Sequence, residues 1–583
     1  MKKTIIRISI GVFVWLLAPS CKKDPEIEPR DLITSDLIWD KSDVNAQLAK
    51  QFLNSIYTFL PNGFNRLGGD FLDAASGDAL PSRNNTAVEF YINGLVSPTL
   101  NPDPYWANSY AGIRQANILL ANIDSVPAIT PQQITTIKSY KAEARFIRAF
   151  MYFELLKRYG GVPLIGDKIL TLQDNLEIPR NTFADVVNYI VSECDAMKAD
   201  LLAEASITDP DLGRIPKGAA VALKCRTYLY AASPFFNGGA TTSPLKTRGI
   251  IGYPVADPTR WQKVIDAAEE LKALNYYTLQ SSFYSVFLNR KNTEIILAKQ
   301  SAVNVNLEND NAPVGYSPNG TQSLGRTSPS QNLVDAFPMR NGMQPFNADG
   351  TVNTASGYNP ANPYAARDLR LGATVFYTKG NLSSDSSHWL NRAVETFEGG
   401  RDKPNNASTQ TKTGYYLRKF LADNKTATSY SNQSHNFPYF RYAEILLNYA
   451  EALNEMNRVE NAVDQIKLIR ARVGTFAGTG TGAGRYGIAT GISQAAMRDL
   501  IRNERRIELA FEEHRFWDVR RWKTAAQDLS GPVFGMKITK NGNVYTYEKV
   551  QAGNMVFNEK LYLMPIPYEE TLKNSVLEQN PGW

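Results

Sequence analysis

Residues 443–472 read AEILLNYAEALNEMNRVENAVDQIKLIRAR, and this stretch decides the fold class. Large apolar side chains recur at three- and four-residue spacing on both sides of Asn457, as two amphipathic helices require. Ala450 and Ala462 stand among them, one in each half. Because antiparallel helices approach closely only where small side chains permit it, we expect these alanines at the helix crossing. The stretch therefore predicts a helical hairpin that turns at Asn457.

This hairpin matches a tetratricopeptide unit of about 34 residues if Ala443 opens the unit. The large positions of that unit are then filled by Leu446, Tyr449, Leu453, Ile466 and Ile469. One unit cannot bury its apolar face alone, so it needs stacked neighbours. Helical patterns at 110–159, 182–206, 217–236 and 261–274 supply candidates. We therefore expect a mainly α fold of tetratricopeptide-like helical repeats.

Two long segments lack helical periodicity. Residues 61–104 are rich in Gly, Asn, Asp and Pro, which predicts a long ordered loop. Residues 301–436 have a similar composition with only short apolar runs, so we expect a large irregular insert with a few short strands. The chain then divides into an N-terminal helical region at 37–300, the insert, and a C-terminal region at 437–583.

The first residues have the three-part pattern of a bacterial secretory signal. Two lysines precede an apolar stretch at 8–17, and small residues lead to Cys21. The apolar stretch is too short to span a bilayer. We predict that residues 1–20 are removed, that Cys21 becomes the lipidated N-terminus, and that 21–36 form a flexible tether. Ordinary cleavage that leaves Cys21 as a free thiol is the alternative.

Charge and cysteine content limit the possible partners. The net charge of +6 includes Lys2, Lys3 and Arg7 of the predicted signal, and the remainder is too small to suggest nucleic acid. Cys194 and Cys225 lie on consecutive predicted helices. A disulfide between them and two buried free thiols both remain open.

The sequence offers no convincing catalytic or metal-binding pattern. Its three histidines are scattered, without zinc or di-iron spacing, so we expect no metal and no cofactor. Glu504, Glu508 and Glu512 are stacked one helical turn apart, whereas glycosidase carboxylates face each other across a cleft. We expect these glutamates to be neutralised by nearby arginines of the same stretch, which are Arg502, Arg505, Arg506 and Arg515. An enzyme is therefore the weakest functional class.

Aromatic and polar residues on the irregular segments suit carbohydrate. Sugar rings stack their C–H faces on aromatic side chains, and their hydroxyls need amide, carboxylate or guanidinium partners. The candidates in the first loop are Phe64, Asn65, Arg66, Asp70 and Asp73. Those in the insert are Tyr316, Tyr358, Tyr364, His388 and Trp389. Trp389 is the strongest candidate as the only tryptophan of the insert, although loop aromatics also commonly pin a loop to its scaffold.

Several sequence blocks resemble those of the SusD/RagB family. They are YKAEARFIRAF (140–150), RYGGVPL (158–164), FPMRNG (337–342), RDLRL (367–371), RYAEILLNYAEA (441–452), IRNERRIELAF (501–511), RFWD (515–518), LMPIP (563–567) and QNPGW (579–583). They stand in family order across nearly the whole chain. The resemblance implies a SusD-like α/α superhelix that carries an irregular half.

The resemblance also implies a function. Such a protein is a lipid-anchored outer-membrane lipoprotein at the cell surface, without catalytic activity. It binds nutrient, here an oligosaccharide, and delivers it to a SusC-like TonB-dependent transporter that it covers as a lid. A peptide ligand, as in RagB-like members, is the nearest alternative. A tetratricopeptide scaffold that binds only protein partners is another.

Overall fold

A computed structural model describes residues 38–40, 43–379, 388–405, 409–422 and 427–583 of the 583-residue chain. The predicted signal, Cys21 and the tether lie outside the described residues. Among the helices that the structure describes, none is both long and apolar enough to cross a bilayer.

The described chain is 41% helix and 12% strand, which confirms the prediction of a mainly α fold. Ten of its helices have eight or more residues. They are α1 (Gln47–Tyr57), α2 (Trp106–Asn122), α3 (Pro131–Tyr159), α4 (Phe183–Met197), α5 (Lys217–Ala232), α6 (Arg260–Lys272), α7 (Tyr442–Glu455), α8 (Val459–Arg472), α9 (Gln494–Glu508) and α10 (His514–Arg521). Shorter helices lie at Glu89–Ile92, Pro244–Thr247, Ser285–Leu288, Asn306–Asn311, Gln331–Ala336, Leu369–Thr374, Ala525–Asp528 and Tyr568–Lys573.

The long helices form one continuous stack. Each helix from α1 to α7 packs on the next in sequence, α8 packs on α7, and α9 contacts both. The insert separates α6 from α7 in the chain, yet these two helices pack directly on each other. The insert therefore does not interrupt the packing of α6 on α7.

The hairpin of α7 and α8 is the unit predicted from residues 443–472. Ala450 and Ala462 are completely buried, as a close helix crossing requires. Asn457 forms the turn with φ of +59°, a left-handed conformation that glycine or asparagine tolerates best. The prediction of a tetratricopeptide-like hairpin is confirmed.

Two predicted helices are shorter than expected. The helix predicted at 182–206 ends at Met197. The chain then turns back, and the carbonyl of Leu202 accepts a hydrogen bond from the Lys217 amide at 2.9 Å. The second ends at Ala232 because Ser233 precedes a proline, which disfavours helical backbone. Cys194 and Cys225 of these helices are free and buried, so the disulfide alternative is wrong.

The strands form five antiparallel pairs within the described residues. They are β1 (Ala79–Pro81) with β3 (Thr327–Pro329), β2 (Ile295–Gln300) with β8 (Asn436–Arg441), β4 (Val375–Phe376) with β7 (Tyr416–Leu417), β5 (His388–Trp389) with β6 (Arg392–Ala393), and β9 (Gly531–Asn541) with β10 (Val544–Met555). The β2–β8 pair brings the two ends of the insert together. The long β9–β10 hairpin was not predicted.

One apolar core serves both the helical stack and the insert. A single cluster of buried side chains includes Leu53 of α1, Leu446 of α7 and Trp389 of the insert. The insert is therefore packed onto the stack through apolar side chains. An aromatic residue of the insert can lie either in that core or at the surface.

Candidate ligand-binding surface

The first long loop and the insert are joined by main-chain hydrogen bonds. Strand β1 belongs to the loop and β3 to the insert, and Leu80 faces Ser328 in their antiparallel register. Just beyond the strands, the Ser82 amide donates to the carbonyl of Arg326 at 2.8 Å. Side chains that follow these strands are consequently held close together although they are far apart in sequence.

Two guanidinium groups meet over Gly69. A Cβ atom at Gly69 would lie 2.3 Å from Arg326 Nη1 and 3.0 Å from Arg83 Nη2, so a larger residue would displace these groups, and the φ of +97° also favours glycine. Arg326 Nε donates to Asp310 Oδ1 at 2.7 Å, and Asn65 Nδ2 donates to Asp310 Oδ2 at 3.2 Å. The Arg83 and Arg326 side chains remain 30% and 20% exposed. We call Asn65, Arg83, Asp310, Arg326 and Lys412 the loop–insert surface.

Lys412 adds a third cation to this surface. Its ammonium group donates to the carbonyl of Arg83 at 3.0 Å and lies 3.9 Å from Glu89. Burial lowers the pKa of Lys412, which Glu89 and Asp70 partly oppose. The lysine therefore fixes the main chain at Arg83 while contributing positive charge.

Hydrogen-bonding capacity remains unused at the loop–insert surface. Asn65 Oδ1 and Arg83 Nε have no hydrogen-bond partner among the described residues, but both atoms are shielded from solvent and are not accessible to a ligand in this conformation. The one hydrogen bond that the Arg326 side chain makes within that part of the chain uses Nε, which leaves its terminal amino groups available. The terminal amino groups of Arg326 can therefore donate to hydroxyl groups of a ligand.

Two predicted polar site residues, Arg66 and Asp73, have structural roles instead. Arg66 is bound between Asp103 at 2.8 Å and Glu513 at 2.5 Å. The buried Asp73 accepts main-chain hydrogen bonds from Phe511 at 2.9 Å and Glu513 at 3.3 Å, and burial raises its pKa to about 8. Because all their polar atoms serve the fold, the prediction that Arg66 and Asp73 contact ligand is corrected.

Asp70 also lies beneath the surface rather than on it. It is fully buried, accepts a hydrogen bond from Thr327 at 3.2 Å, and pairs with Arg83 at 3.3 Å. Burial raises its pKa to about 6, against the opposing charge of Arg83. Asp70 therefore orients Arg83, and of the predicted polar residues Asn65 alone lies on the surface itself.

Trp389 is a packing residue, which corrects its prediction as an exposed stacking platform. It has no exposed surface, and its Nε1 donates to the carbonyl of Ala422 at 2.8 Å. The rings of Tyr316, Phe376 and Tyr430 surround it with centroids 5.2 Å away. A buried indole cannot stack on a sugar in this conformation.

Other predicted aromatic residues also point inward. Tyr316 and Tyr364 are buried, and Tyr364 stacks on Tyr377 with centroids 4.3 Å apart. Phe64 is half-buried and packs against Phe71, Phe420 and Phe437. These rings anchor the irregular segments, so the predicted aromatic shelf is not formed by them.

Tyr358 and His388 complete the predicted set. Tyr358 is half-buried, 5.0 Å from Phe346 and beside the Arg367 guanidinium. His388 pairs through its main chain with Ala393, and its side chain lies outside what the structure describes. The described contacts of Tyr358 are therefore with Phe346 and Arg367 rather than with the loop–insert surface.

The stacked glutamates belong to a buried ion network. Glu508 and Glu512 pair with Arg441 at 2.8 and 2.6 Å. Burial alone would raise the pKa of Glu508, but Arg472, Arg441 and Arg370 hold it well below its usual range. The core ion network comprises Arg370, Arg441, Arg470, Arg472, Lys419, Glu294, Glu504, Glu508 and Glu512.

These ion pairs correct the prediction that arginines of the same stretch neutralise the stacked glutamates. The neutralising cations come from other elements, whereas Arg505, Arg506 and Arg515 pair with Asp518, Asp78 and Asp528. Arg502 lies over the ring of Trp522. Helical spacing showed that the glutamates share a face but not which elements would cover it.

The chain matches two related sequence families. A family model described as "SusD family" matches residues 293–583, and one described as "Starch-binding associating with outer membrane" matches residues 37–229. SusD-like protein P25 of Formosa agariphila is 24% identical over 98% of each chain. SusD-like protein P2 of the same species is 26% identical and covers 84% of this chain and 81% of its own.

Solved structures share the fold over nearly the full length. A SusD-like protein from Bacteroides fragilis superposes with a TM-score of 0.73 at 28% identity, covering 95% of this chain and all of that one. A laminarin-binding SusD-like protein superposes with a TM-score of 0.60 at 20% identity, covering 92% of this chain and 99% of that one. The likeness to the second structure shows a shared fold alone.

Proposed function

Because this chain belongs to the SusD/RagB family, we propose that it binds an oligosaccharide at the loop–insert surface without cleaving it. The observation that carries this proposal is the convergence of Arg83 and Arg326 over Gly69, with hydrogen-bond donors left unpaired. Asp70 and Asp310 hold these guanidinium groups in place. The groups can therefore donate to sugar hydroxyls with little further loss of side-chain conformational entropy. The carbohydrate-binding descriptions of family members support this ligand class.

We further propose that binding serves uptake across the outer membrane. In this role the protein is a surface lipoprotein that covers a SusC-like TonB-dependent transporter as its lid. The association with the outer membrane in the family description supports this location. Lid opening and closure, rather than bond cleavage, then control access of the ligand to the transporter.

A combined glycan and peptide array tests the ligand class. We expect the protein to bind one class of oligosaccharide on the array and none of the peptides. Retention of peptides alone would favour a RagB-like peptide binder. Failure to retain either class, together with a stable complex with another protein, would favour a tetratricopeptide scaffold.

The lipid anchor gives a separate prediction. Cys21→Ala should abolish incorporation of labelled fatty acid and release the protein into the soluble fraction when the transporter is absent. Detergent partition measures this release, and Cys194→Ala is the matched control because its thiol is buried. A Cys21→Ala protein that stays membrane-bound without the transporter would contradict the proposed anchor.

A further inference from the structure

An open basin of about 610 Å³ lies between segments 339–341, 356–357 and 474–477, and Ala366 also lines it. Its size falls within the range of roughly 300–1,000 Å³ typical of small-ligand sites. None of its lining residues belongs to the loop–insert surface. The basin is therefore a separate place where a ligand could contact the protein.

Phe476 presents an aromatic face at this basin. At 57% exposure it is the most exposed aromatic side chain in the described part of the chain. Leu369, 53% exposed, is nearby, since a Cβ on Gly474 would lie 3.5 Å from Leu369 Cδ1. Most aromatic residues of this protein are inside its core, so an exposed ring in a basin differs from the general pattern.

The main chain holds Phe476 in place. Its amide donates to the carbonyl of Arg340 at 2.7 Å, and the Arg340 amide donates to the carbonyl of Ala366 at 2.7 Å. Ala366 has φ of +52°, a left-handed conformation that costs a residue with a Cβ atom free energy. Three segments are thereby cross-linked, and the ring is presented by a preformed frame.

Arg340 supplies polar groups beside the ring. Its side chain is exposed and has no ion-pair partner in the described parts of the chain. The neighbouring Asn341 is used by its own loop, because it donates to the Ser356 carbonyl at 3.1 Å and accepts from the Met343 amide at 3.0 Å. Arg340 therefore has side-chain donors available at the basin, whereas Asn341 does not.

We propose that this basin is a second sugar-binding surface, on which a sugar ring stacks against Phe476 while Arg340 donates to its hydroxyls. This inference rests on the proposed function, because it assumes that the ligand is a glycan. Stacking suits the C–H face of a pyranose, and the guanidinium suits its hydroxyl rim. A glycan chain long enough to reach both surfaces would gain avidity from the second contact.

Affinity electrophoresis tests the proposal with gels that contain starch, laminarin, xylan, pectin or alginate. We expect Phe476→Ala to weaken retention by about tenfold in each gel that retards the wild type. Phe476→Tyr keeps a stacking face and should retain wild-type affinity. Arg340→Met keeps the aliphatic stem but removes the donors, and should also weaken retention.

Matched controls separate this inference from the proposed function. Leu468→Ala removes an apolar side chain that is 48% exposed on α8, and it should leave retention unchanged. Thermal melting verifies that each variant is folded. If Arg326→Met weakens retention while Phe476→Ala does not, the second surface is refuted and the proposed function stands. If no gel retards the wild type, both are refuted.

Discussion

The core ion network and the loop–insert surface use the same residue types with opposite results. In the core, Arg441 is 1% exposed, and its side chain donates to Glu294, Glu508 and Glu512 at 2.6–2.8 Å as well as to a main-chain carbonyl. At the surface, Arg326 makes one side-chain hydrogen bond within the described residues and stays 20% exposed. A saturated, buried guanidinium can only support the fold. An unsaturated, partly exposed guanidinium can also bind a ligand.

The largest effect should follow from breaking the core ion network. Arg441→Met should lower the free energy of unfolding by about 3–5 kcal/mol, because it leaves buried carboxylates without their partner. Chemical denaturation measures the change. Arg401→Met is the matched control, since Arg401 is 65% exposed and its pair with Glu395 should contribute less than about 1 kcal/mol. Equal losses in the two variants would contradict the claim that burial decides how much an ion pair contributes to stability.

Trp389→Ala should have a comparable effect on stability. Removing a fully buried indole should cost about 3–5 kcal/mol, while ligand affinity changes little in the fraction that remains folded. Tyr568→Ala, at a 50% exposed tyrosine, should leave the melting temperature nearly unchanged. A Trp389→Ala protein that melts normally but binds ligand weakly would restore Trp389 to the site.

A smaller loss is expected at the helix crossing of the α7–α8 hairpin. Ala450→Leu should overpack that crossing and cost about 1–3 kcal/mol without altering ligand affinity. Leu468→Ala on the exposed face of α8 should change stability by less than about 0.5 kcal/mol. A neutral Ala450→Leu would contradict close helix packing at this position.

The helical stack was predictable because its information is local. The spacing around Ala450 and Ala462 encodes a hairpin within 30 residues, so no distant contact had to be known. The β9–β10 hairpin was missed although Gly542 and Asn543 form a readable two-residue turn signal between its strands.

The candidate site depended on contacts that no local pattern encodes. Asn65 and Asp310 are 245 positions apart, and their meeting depends on the pairing of β1 with β3. Arg83, Asp310, Arg326 and Lys412 were therefore missed, even though Arg83 stands in an obvious turn composition. Trp389 was predicted as a site residue but is fully buried. The sequence could not distinguish the two roles, because an aromatic residue in a polar segment can equally anchor that segment to the core.

The most direct test of the central claim is isothermal titration of Arg326→Met with the best array oligosaccharide. Losing hydrogen bonds from a charged group should weaken binding by about tenfold or more. Its stability should change by less than about 1 kcal/mol, because the pair with Asp310 is partly exposed. Arg401→Met should bind as tightly as the wild type. Unchanged affinity in folded Arg326→Met would contradict the assignment of the loop–insert surface as the binding site.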